Sequence, residues 1–181
     1  LMCPTYYSDD RMLDVVFGER PRGYLEDLGR RLDPRVGVYW TGEEICAREF
    51  SPGHLDRVTE ALRRKPTLWD NYPVNDGPRM SRFLHLRGFT GRPSTIAPHI
   101  AAHAINPALQ PHLSLIPSAT LVARYRATSA HRSMNAFRPA ARAAHKAQRV
   151  VDSHREDENL QGVPPVAEYV IPSHHSFWAR M

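Results

Sequence analysis

Short apolar runs alternate with helical patterns through the first two thirds of the chain, and each run ends in a polar cluster. The runs predicted as strands are Leu1–Thr5, Arg35–Trp40, Thr67–Trp69 and Ile100–Asn106. Strands that alternate with helices form a parallel sheet through right-handed crossovers. This alternation limits the 181-residue chain to the α/β class.

Two helices are predicted between these runs. Arg22–Leu32 carries leucines at helical spacing and ends before Pro34. The second helix begins at Ser51-Pro52, which offers a hydroxyl at the N-cap and a proline at the first helical position, and it continues to Arg64. A long loop is then expected from Tyr72 to about Arg92, and a loop of this length is usually functional or disordered.

The sequence changes character after residue 112. Leu113–Ala127 and Asn135–Val151 are rich in alanine and leucine with helical periodicity, and Pro165–Met181 is predicted as one further helix. We therefore expect an α/β region over 1–112 and a helical region over 113–181. Leu1 lies inside the first predicted strand with no residues leading into it, which indicates a chain that begins within a domain.

Composition argues against several classes of protein. No run of 18 or more apolar residues occurs, so no transmembrane helix and no membrane partner is predicted. The net charge is +5, but the arginines lie beside acids and form no basic run of five or more, which argues against a nucleic-acid partner. Cys3 and Cys46 are too few for a disulfide framework and favour a reducing compartment such as the cytoplasm.

Polar and aromatic side chains follow the predicted strands, and the carboxyl ends of parallel strands meet at one edge of a sheet. Four such ends look like half of a (β/α)₈ barrel. Aromatic rings stack on the C–H faces of sugars, while amides and acids bond sugar hydroxyls, so the set predicts a sugar site. The alternative is that Trp40 and Trp69 belong to the core and that Asn71 and Asn106 cap loops. The set is Tyr6, Tyr7, Trp40, Thr41, Trp69, Asp70, Asn71, Asp76 and Asn106.

Two pairs of acids are candidates for glycosidase chemistry, which commonly uses two carboxyl groups. Asp9 and Asp10 are adjacent, and Asp70 and Asp76 are separated by a loop. Asp9-Asp10 precedes Arg11, a pattern more typical of a solvated turn. Neither pair is specific to catalysis on its spacing alone.

His99 and His103 have the four-residue spacing of a zinc-binding helix, but the glutamate of that motif is replaced by Ile100. In a strand the two histidines would lie roughly 13 Å apart, too far to share one ion. No metal site is predicted.

Three segments carry a family resemblance: WTGEEI, LRRKPTLWDNYPVND and INP. With the CPT that opens the chain, they resemble the O-GlcNAcase and bacterial hyaluronidase-like β-N-acetylglucosaminidases, glycoside hydrolase family eighty-four. The resemblance runs from Leu1 to about Pro107. It implies a (β/α)₈ barrel of which this chain would supply strands five to eight, followed by helices.

The resemblance also implies a mechanism, the hydrolysis of terminal β-linked N-acetylglucosamine with help from the substrate. The sugar's own N-acetyl carbonyl attacks the anomeric carbon, and water opens the resulting oxazoline. An adjacent pair of aspartates serves this chemistry at the end of strand four, upstream of this chain, so Asp9-Asp10 is not that pair. No cofactor or metal is implied. The implied partners are an N-acetylglucosamine-containing glycoprotein, glycan or small glycoside and the N-terminal half of the barrel.

The resemblance gives sugar-binding roles to seven residues and catalytic roles to none. Tyr7 and Trp69 would line the acetamide pocket, with Cys3 and Thr41 near it. Asn71 would bond the acetamide or the catalytic acid, and Asp76 and Asn106 would bind the outer hydroxyls.

Two alternatives stay open on the residues. One is a barrel that binds N-acetylhexosamine without cleaving it. The other is a different barrel glycosidase whose acids are Asp70 and Asp76.

Overall fold

The computed structural model of the protein describes residues 1–4, 14, 18–19, 21–126 and 138–146. Three strands form a parallel sheet in the order β1 (Tyr39–Trp40), β2 (Thr67–Asp70) and β3 (Ala102–Ile105). Met2 bridges to Val38 in parallel and extends the sheet beyond β1. The predicted α/β class and the common direction of the four apolar runs are confirmed.

Helices occupy the segments between and after the strands. They are α1 (Tyr24–Arg31), α2 (Pro52–Leu62), α3 (Gly77–Met80), a 3₁₀ helix (Ser94–His99), α4 (Pro111–Arg126) and α5 (138–146). The predicted start of α2 is confirmed, because the Ser51 hydroxyl accepts a hydrogen bond from the His54 N–H. The short α3 interrupts the segment predicted as a loop, and the helix predicted at Pro165–Met181 lies outside the described residues. No described helix is both long and apolar enough to cross a membrane.

The core lies between one face of the sheet and the helices α1 and α2. Val38, Trp40 and Leu68 point from the strands into this core, where Leu55 and Leu62 of α2 are fully buried against them. Burial of side chains of this size stabilises a fold by about 1.5–3 kcal/mol each.

The two helices approach closely at Gly29. A Cβ atom at this position would lie 2.4 Å from the carbonyl oxygen of Ala61. Only glycine lets α1 pack at this distance on the end of α2.

Arg64 joins the segments that meet at the amino-terminal end of the sheet. It follows α2 and uses all five of its N–H groups on backbone carbonyls. Their acceptors are Gly29, Leu32, Asp33, Val36 and Leu62. The end of α1, the turn before β1 and the end of α2 are therefore held by one side chain.

The pairing register assigns side chains to the two faces of the sheet. Trp40 lies opposite Leu68 and shares the helix-covered face with it. Trp69 lies opposite Ala104 and, because side chains alternate along a strand, belongs to the other face. Both Trp69 and Ala104 are partly exposed.

Candidate functional site

A cluster of amides joins the carboxyl ends of β2 and β3. The Oδ1 atom of Asn71 accepts hydrogen bonds from the indole N–H of Trp69 and from Nδ2 of Asn106, both at 2.9 Å. Asn71 Nδ2 in turn donates to the carbonyl oxygen of Ile45 at 2.8 Å. We call Trp69, Asn71 and Asn106 the amide cluster. Three residues predicted for the site from separate positions in the sequence are thus brought together.

These contacts fix which way the Asn71 amide points. An indole N–H can only donate, so the atom that faces Trp69 must be the oxygen. That oxygen already has two donors, and one of the two N–H groups is directed at Ile45. Within the described part of the chain, Asn71 keeps one N–H for a further partner. Its outward role is therefore that of a donor.

The indole of Trp69 is held from two sides. Its N–H bonds Asn71, and Tyr39 of β1 contacts its ring edge to face, with ring centroids 5.2 Å apart. Tyr39 lies opposite Thr67 in the register and so belongs to the same face of the sheet as Trp69. Such an aromatic pair is stabilising and sets the plane of the ring. Tyr39 was missed in the sequence, where nothing marked it apart from its neighbours in the strand.

The remaining predicted site residues differ in exposure. Thr41 is fully buried behind the end of β1, whereas Cys3 is exposed, and partial desolvation raises the pKa of the Cys3 thiol above its usual 9.0. Asp76 is half-buried just before α3 and makes no capping hydrogen bond to that helix. Tyr7 lies outside the described residues, as do Tyr6, Asp9 and Asp10.

The interpretation of Trp40 as a sugar platform is wrong. Its side chain is fully buried in the core, and its indole N–H donates to Nε2 of His54 at 2.9 Å. The register puts Trp40 on the same face as Leu68, the face that α1 and α2 cover. The alternative interpretation, that Trp40 belongs to the core, is the correct one.

Asp70 is the centre of a second, buried network. Both of its carboxylate oxygens accept hydrogen bonds from Arg92, at 2.6 and 2.7 Å, and Oδ2 also contacts Nε2 of His103 at 3.0 Å. Nδ1 of His103 lies 2.7 Å from the Tyr125 hydroxyl of α4. We call Asp70, Arg92, His103 and Tyr125 the Asp70 network. Burial, and then the charge of Asp70, raises the pKa of Tyr125 to about 12.

This geometry argues against Asp70 as a catalytic acid. Its side chain is 1 % exposed and lies on the helix-covered face with Leu68, away from Trp69. Three donors already occupy its two oxygens. The glycosidase alternative that uses Asp70 and Asp76 together therefore loses one of its two carboxyl groups.

His99 and His103 have different acidic partners. His99 pairs with Asp56 on α2, and His103 belongs to the Asp70 network. Among the described residues no group of three or more His, Cys, Asp or Glu side chains could hold an ion.

Arg92 was missed in the sequence as a partner of Asp70. Its five N–H groups bond the Asp70 carboxylate and the carbonyl oxygens of Ala47, Arg48 and Thr90. The only local signal is Gly91, which has a φ of 68° and whose Cβ would lie 2.3 Å from the Arg48 carbonyl oxygen. Gly91 allows the chain to approach the loop after β1 closely enough for Arg92 to enter it.

A groove of about 360 Å³ lies elsewhere, along the outer edge of β3. Ile100 and Ala102 line it on one side and Leu121 and Val122 of α4 on the other. No residue of the amide cluster lines this groove. It is therefore separate from the predicted sugar site.

Comparisons with known proteins agree on one group of enzymes. A family model described as beta-N-acetylglucosaminidase matches residues 1–159. Protein O-GlcNAcase of Rattus norvegicus and that of Mus musculus are each 28% identical over 126 residues, which is 70% of this chain and 13% of theirs. A solved structure of a Thermobaculum terrenum O-GlcNAc hydrolase mutant is 34% identical, with a TM-score of 0.66, over 79% of this chain and 29% of that chain. The chain thus has the fold of one part of that hydrolase and spans a small fraction of the length of the proteins it matches.

Proposed function

The chain belongs to the beta-N-acetylglucosaminidase family, and from this membership we propose that it forms the sugar-binding part of an enzyme that releases terminal β-linked N-acetylglucosamine. The observation that carries the proposal is the amide cluster, in which Asn71 accepts from both Trp69 and Asn106. This cluster presents an aromatic ring and amide groups together at the carboxyl edge of a parallel sheet, where α/β folds bind their ligands.

We propose that the described sheet is the C-terminal half of a (β/α)₈ barrel, strands five to eight, with the helical region following it. Met2, β1, β2 and β3 are parallel and adjacent in chain order, as in a barrel. Half a barrel leaves two strand edges without partners, and a barrel removes them by closing. The groove along β3 would then be covered by the N-terminal half, which is the expected partner.

In the proposed reaction the acetamide carbonyl of the substrate is the nucleophile, and an aspartate pair outside this chain handles the protons. Asn71 has only an N–H to offer, so it cannot accept from the acetamide N–H. A donor placed on the attacking carbonyl oxygen would compete with the bond that this oxygen forms. We therefore propose that Asn71 donates to a catalytic carboxylate and orients it.

Trp69 forms one wall of the acetamide pocket in this proposal. Its N–H is bonded to Asn71 and its ring is braced by Tyr39, so it offers the methyl group of the acetamide a rigid apolar surface. Cys3 is proposed to border the same pocket and Thr41, which is fully buried, to support its floor, while the role of Tyr7 in the acetamide pocket rests on the family resemblance alone. Asn106 uses one N–H on Asn71, and among the described residues its oxygen and second N–H remain for sugar hydroxyls.

Asp76 is proposed to accept hydrogen bonds from the outer hydroxyls of the terminal sugar. Bonds from hydroxyls to a carboxylate contribute about 1.5–3 kcal/mol each. Asp76 is half-buried with no capping bond to α3, which suits a carboxylate that accepts hydrogen bonds from a ligand.

The test is the hydrolysis of a chromogenic β-N-acetylglucosaminide by the full-length protein. Asp76→Ala should lower kcat/KM by at least about tenfold, since binding energy from remote hydroxyls also supports the transition state. Asp56→Asn, which alters an exposed carboxylate on α2, is the control and should leave kcat/KM unchanged. Wild-type kinetics for Asp76→Ala would remove the assignment.

The same assay separates the second candidate, a barrel that binds the sugar and does not cleave it. That protein would bind N-acetylglucosamine in calorimetry, would lose this binding in Asp76→Ala, and would release no chromophore. The family membership of this chain favours turnover.

A further inference from the structure

Asn75 is a buried amide with three hydrogen bonds near the proposed sugar site, and no role has yet been given to it. It lies in the segment between β2 and α3 and is 1 % exposed. Its Oδ1 accepts from the backbone N–H of Leu109 at 2.9 Å. Its Nδ2 donates to the carbonyl oxygen of Phe83 at 3.1 Å and to Oε1 of Gln110 at 2.9 Å.

These three bonds join segments that are distant in sequence. Phe83 follows α3, and Leu109 and Gln110 lie between β3 and α4. The loop after β2 and the loop after β3 therefore meet on a single buried amide. A buried amide that is bonded at its oxygen and at both N–H groups resists displacement, because each group left unpaired costs about 1–3 kcal/mol.

The position of Asn75 in the chain connects the joining of these two loops to the residues proposed to bind the sugar. Asp76 is the next residue, and Asn106 stands three residues before Leu109. Asp76 has no capping bond to α3. The anchored residue nearest to Asp76 on its amino-terminal side is therefore Asn75. Asn106 is already anchored to Asn71. The distance between the two groups proposed to bind hydroxyls thus depends on how the two loops are joined.

We propose that Asn75 is a positioning residue: it holds the loop that carries Asp76 against the loop that follows Asn106, and so sets the spacing at which these two side chains meet the sugar hydroxyls. The inference rests on the proposed function of Asp76. It assigns Asn75 no contact with the substrate.

A positioning role makes a specific prediction about combined variants. If Asn75 acts through Asp76, its loss should matter only while the Asp76 carboxylate is present. If Asn75 merely maintains the fold, its loss should have the same effect with or without that carboxylate. A double-mutant cycle separates the two cases.

The experiment uses the full-length enzyme and a chromogenic β-N-acetylglucosaminide, with the variants Asn75→Ala, Asp76→Ala and their combination. Asn75→Ala removes all three hydrogen bonds of the amide without adding a charge beside Asp76. We expect it to lower kcat/KM by about fivefold, mainly through KM, and by less than about twofold in the Asp76→Ala background. Asp56→Asn, which changes an exposed side chain on α2, is the control for a substitution away from the site and should have no effect.

Gln110→Ala provides a gentler second variant, since it removes one of the three partners and leaves the buried amide in place. It should lower kcat/KM by about twofold, again only while Asp76 is present. Thermal unfolding of each variant verifies that it is folded.

The outcomes separate the inference from the function on which it rests. Equal effects of Asn75→Ala in both backgrounds, or no effect in either, would overturn the positioning role while leaving Asp76 as a sugar ligand. If Asp76→Ala itself is without effect, the proposed role of Asp76 falls, and the positioning role falls with it.

Discussion

The two ends of the sheet each depend on one arginine whose five N–H groups are all bonded, but the acceptors differ. At the amino-terminal end Arg64 donates to five backbone carbonyls. At the carboxyl-terminal end Arg92 donates to three carbonyls and to both oxygens of the Asp70 carboxylate. Arg64 is half-buried and Arg92 is 5 % exposed.

The difference in acceptors indicates different roles for the two arginines. If Arg64 is lost, the carbonyl groups around this half-buried side chain can form hydrogen bonds with water instead. Loss of Arg64 should therefore destabilise the fold only moderately. A buried carboxylate that loses its arginine cannot replace it with water. Asp70 also stands between Trp69 and Asn71 in the chain, so the ion pair that holds it also fixes the strand end that carries the amide cluster. Stability and the proposed sugar binding are separable at one end of the sheet and joined at the other.

Arg92→Met tests this contrast and should cause the largest loss of stability. It leaves the Asp70 carboxylate buried with His103 as its remaining partner, and removing one member of a buried pair typically costs about 3–5 kcal/mol. The free energy of unfolding of the full-length protein, measured in urea, should fall by that amount.

Asp70→Asn in the Arg92→Met background is the control for this interpretation. It removes the uncompensated charge and should recover part of the lost stability. A loss below about 1 kcal/mol for Arg92→Met alone would show that Asp70 does not depend on its arginine.

Arg64→Met tests the opposite end and should have a smaller effect. The methionine retains much of the apolar stem of the side chain and leaves five carbonyls, several within reach of water, so the expected loss is about 2–3 kcal/mol. KM and kcat for a chromogenic β-N-acetylglucosaminide should stay within about twofold of wild type at a temperature where the protein is folded. A rise in KM beyond that range would mean that the two ends are not independent.

The same contrast explains which parts could be predicted from the sequence. The order of strands and helices follows from periodicity, and the Ser51-Pro52 start of α2 has a local chemical signature. Trp69, Asn71 and Asn106 could be grouped because strand ends in a parallel sheet share one edge. All of this information is local or repeats along the chain.

What failed depended on contacts between distant residues. Trp40 and Trp69 are each close to the end of a strand, and only the register, Trp40 opposite Leu68, shows that they point to opposite faces. A shift of one residue would have exchanged their roles. The pairing of Asp70 with Arg92 spans 22 positions, and the bond between Asn75 and Leu109 spans 34, with no pattern between them. Tyr125 lies outside every motif and still completes the Asp70 network.

The smallest expected effect belongs to that tyrosine, and it acts only at the carboxyl-terminal end. In the neutral imidazole, His103 donates from Nε2 to Asp70 and accepts at Nδ1 from the Tyr125 hydroxyl. Tyr125→Phe removes this last bond and should cost about 1 kcal/mol at neutral pH. The hydrogen bonds described above for the amide cluster do not involve Tyr125, so KM should change little.

The change in stability at alkaline pH tests the role of the Tyr125 hydroxyl further. Burial and the Asp70 charge raise the pKa of Tyr125 from 10.0 to about 12 in the folded protein, so the fold retains a proton that the unfolded chain releases first. The stability that this proton contributes is complete below pH 10 and is lost as the pH rises from 10 to about 12. Wild type should therefore lose more stability than Tyr125→Phe across this interval, in parallel urea titrations that cancel the contributions of the other tyrosines. If the two proteins lose stability in parallel, the hydroxyl of Tyr125 is exposed to water, and the Asp70 network ends at His103.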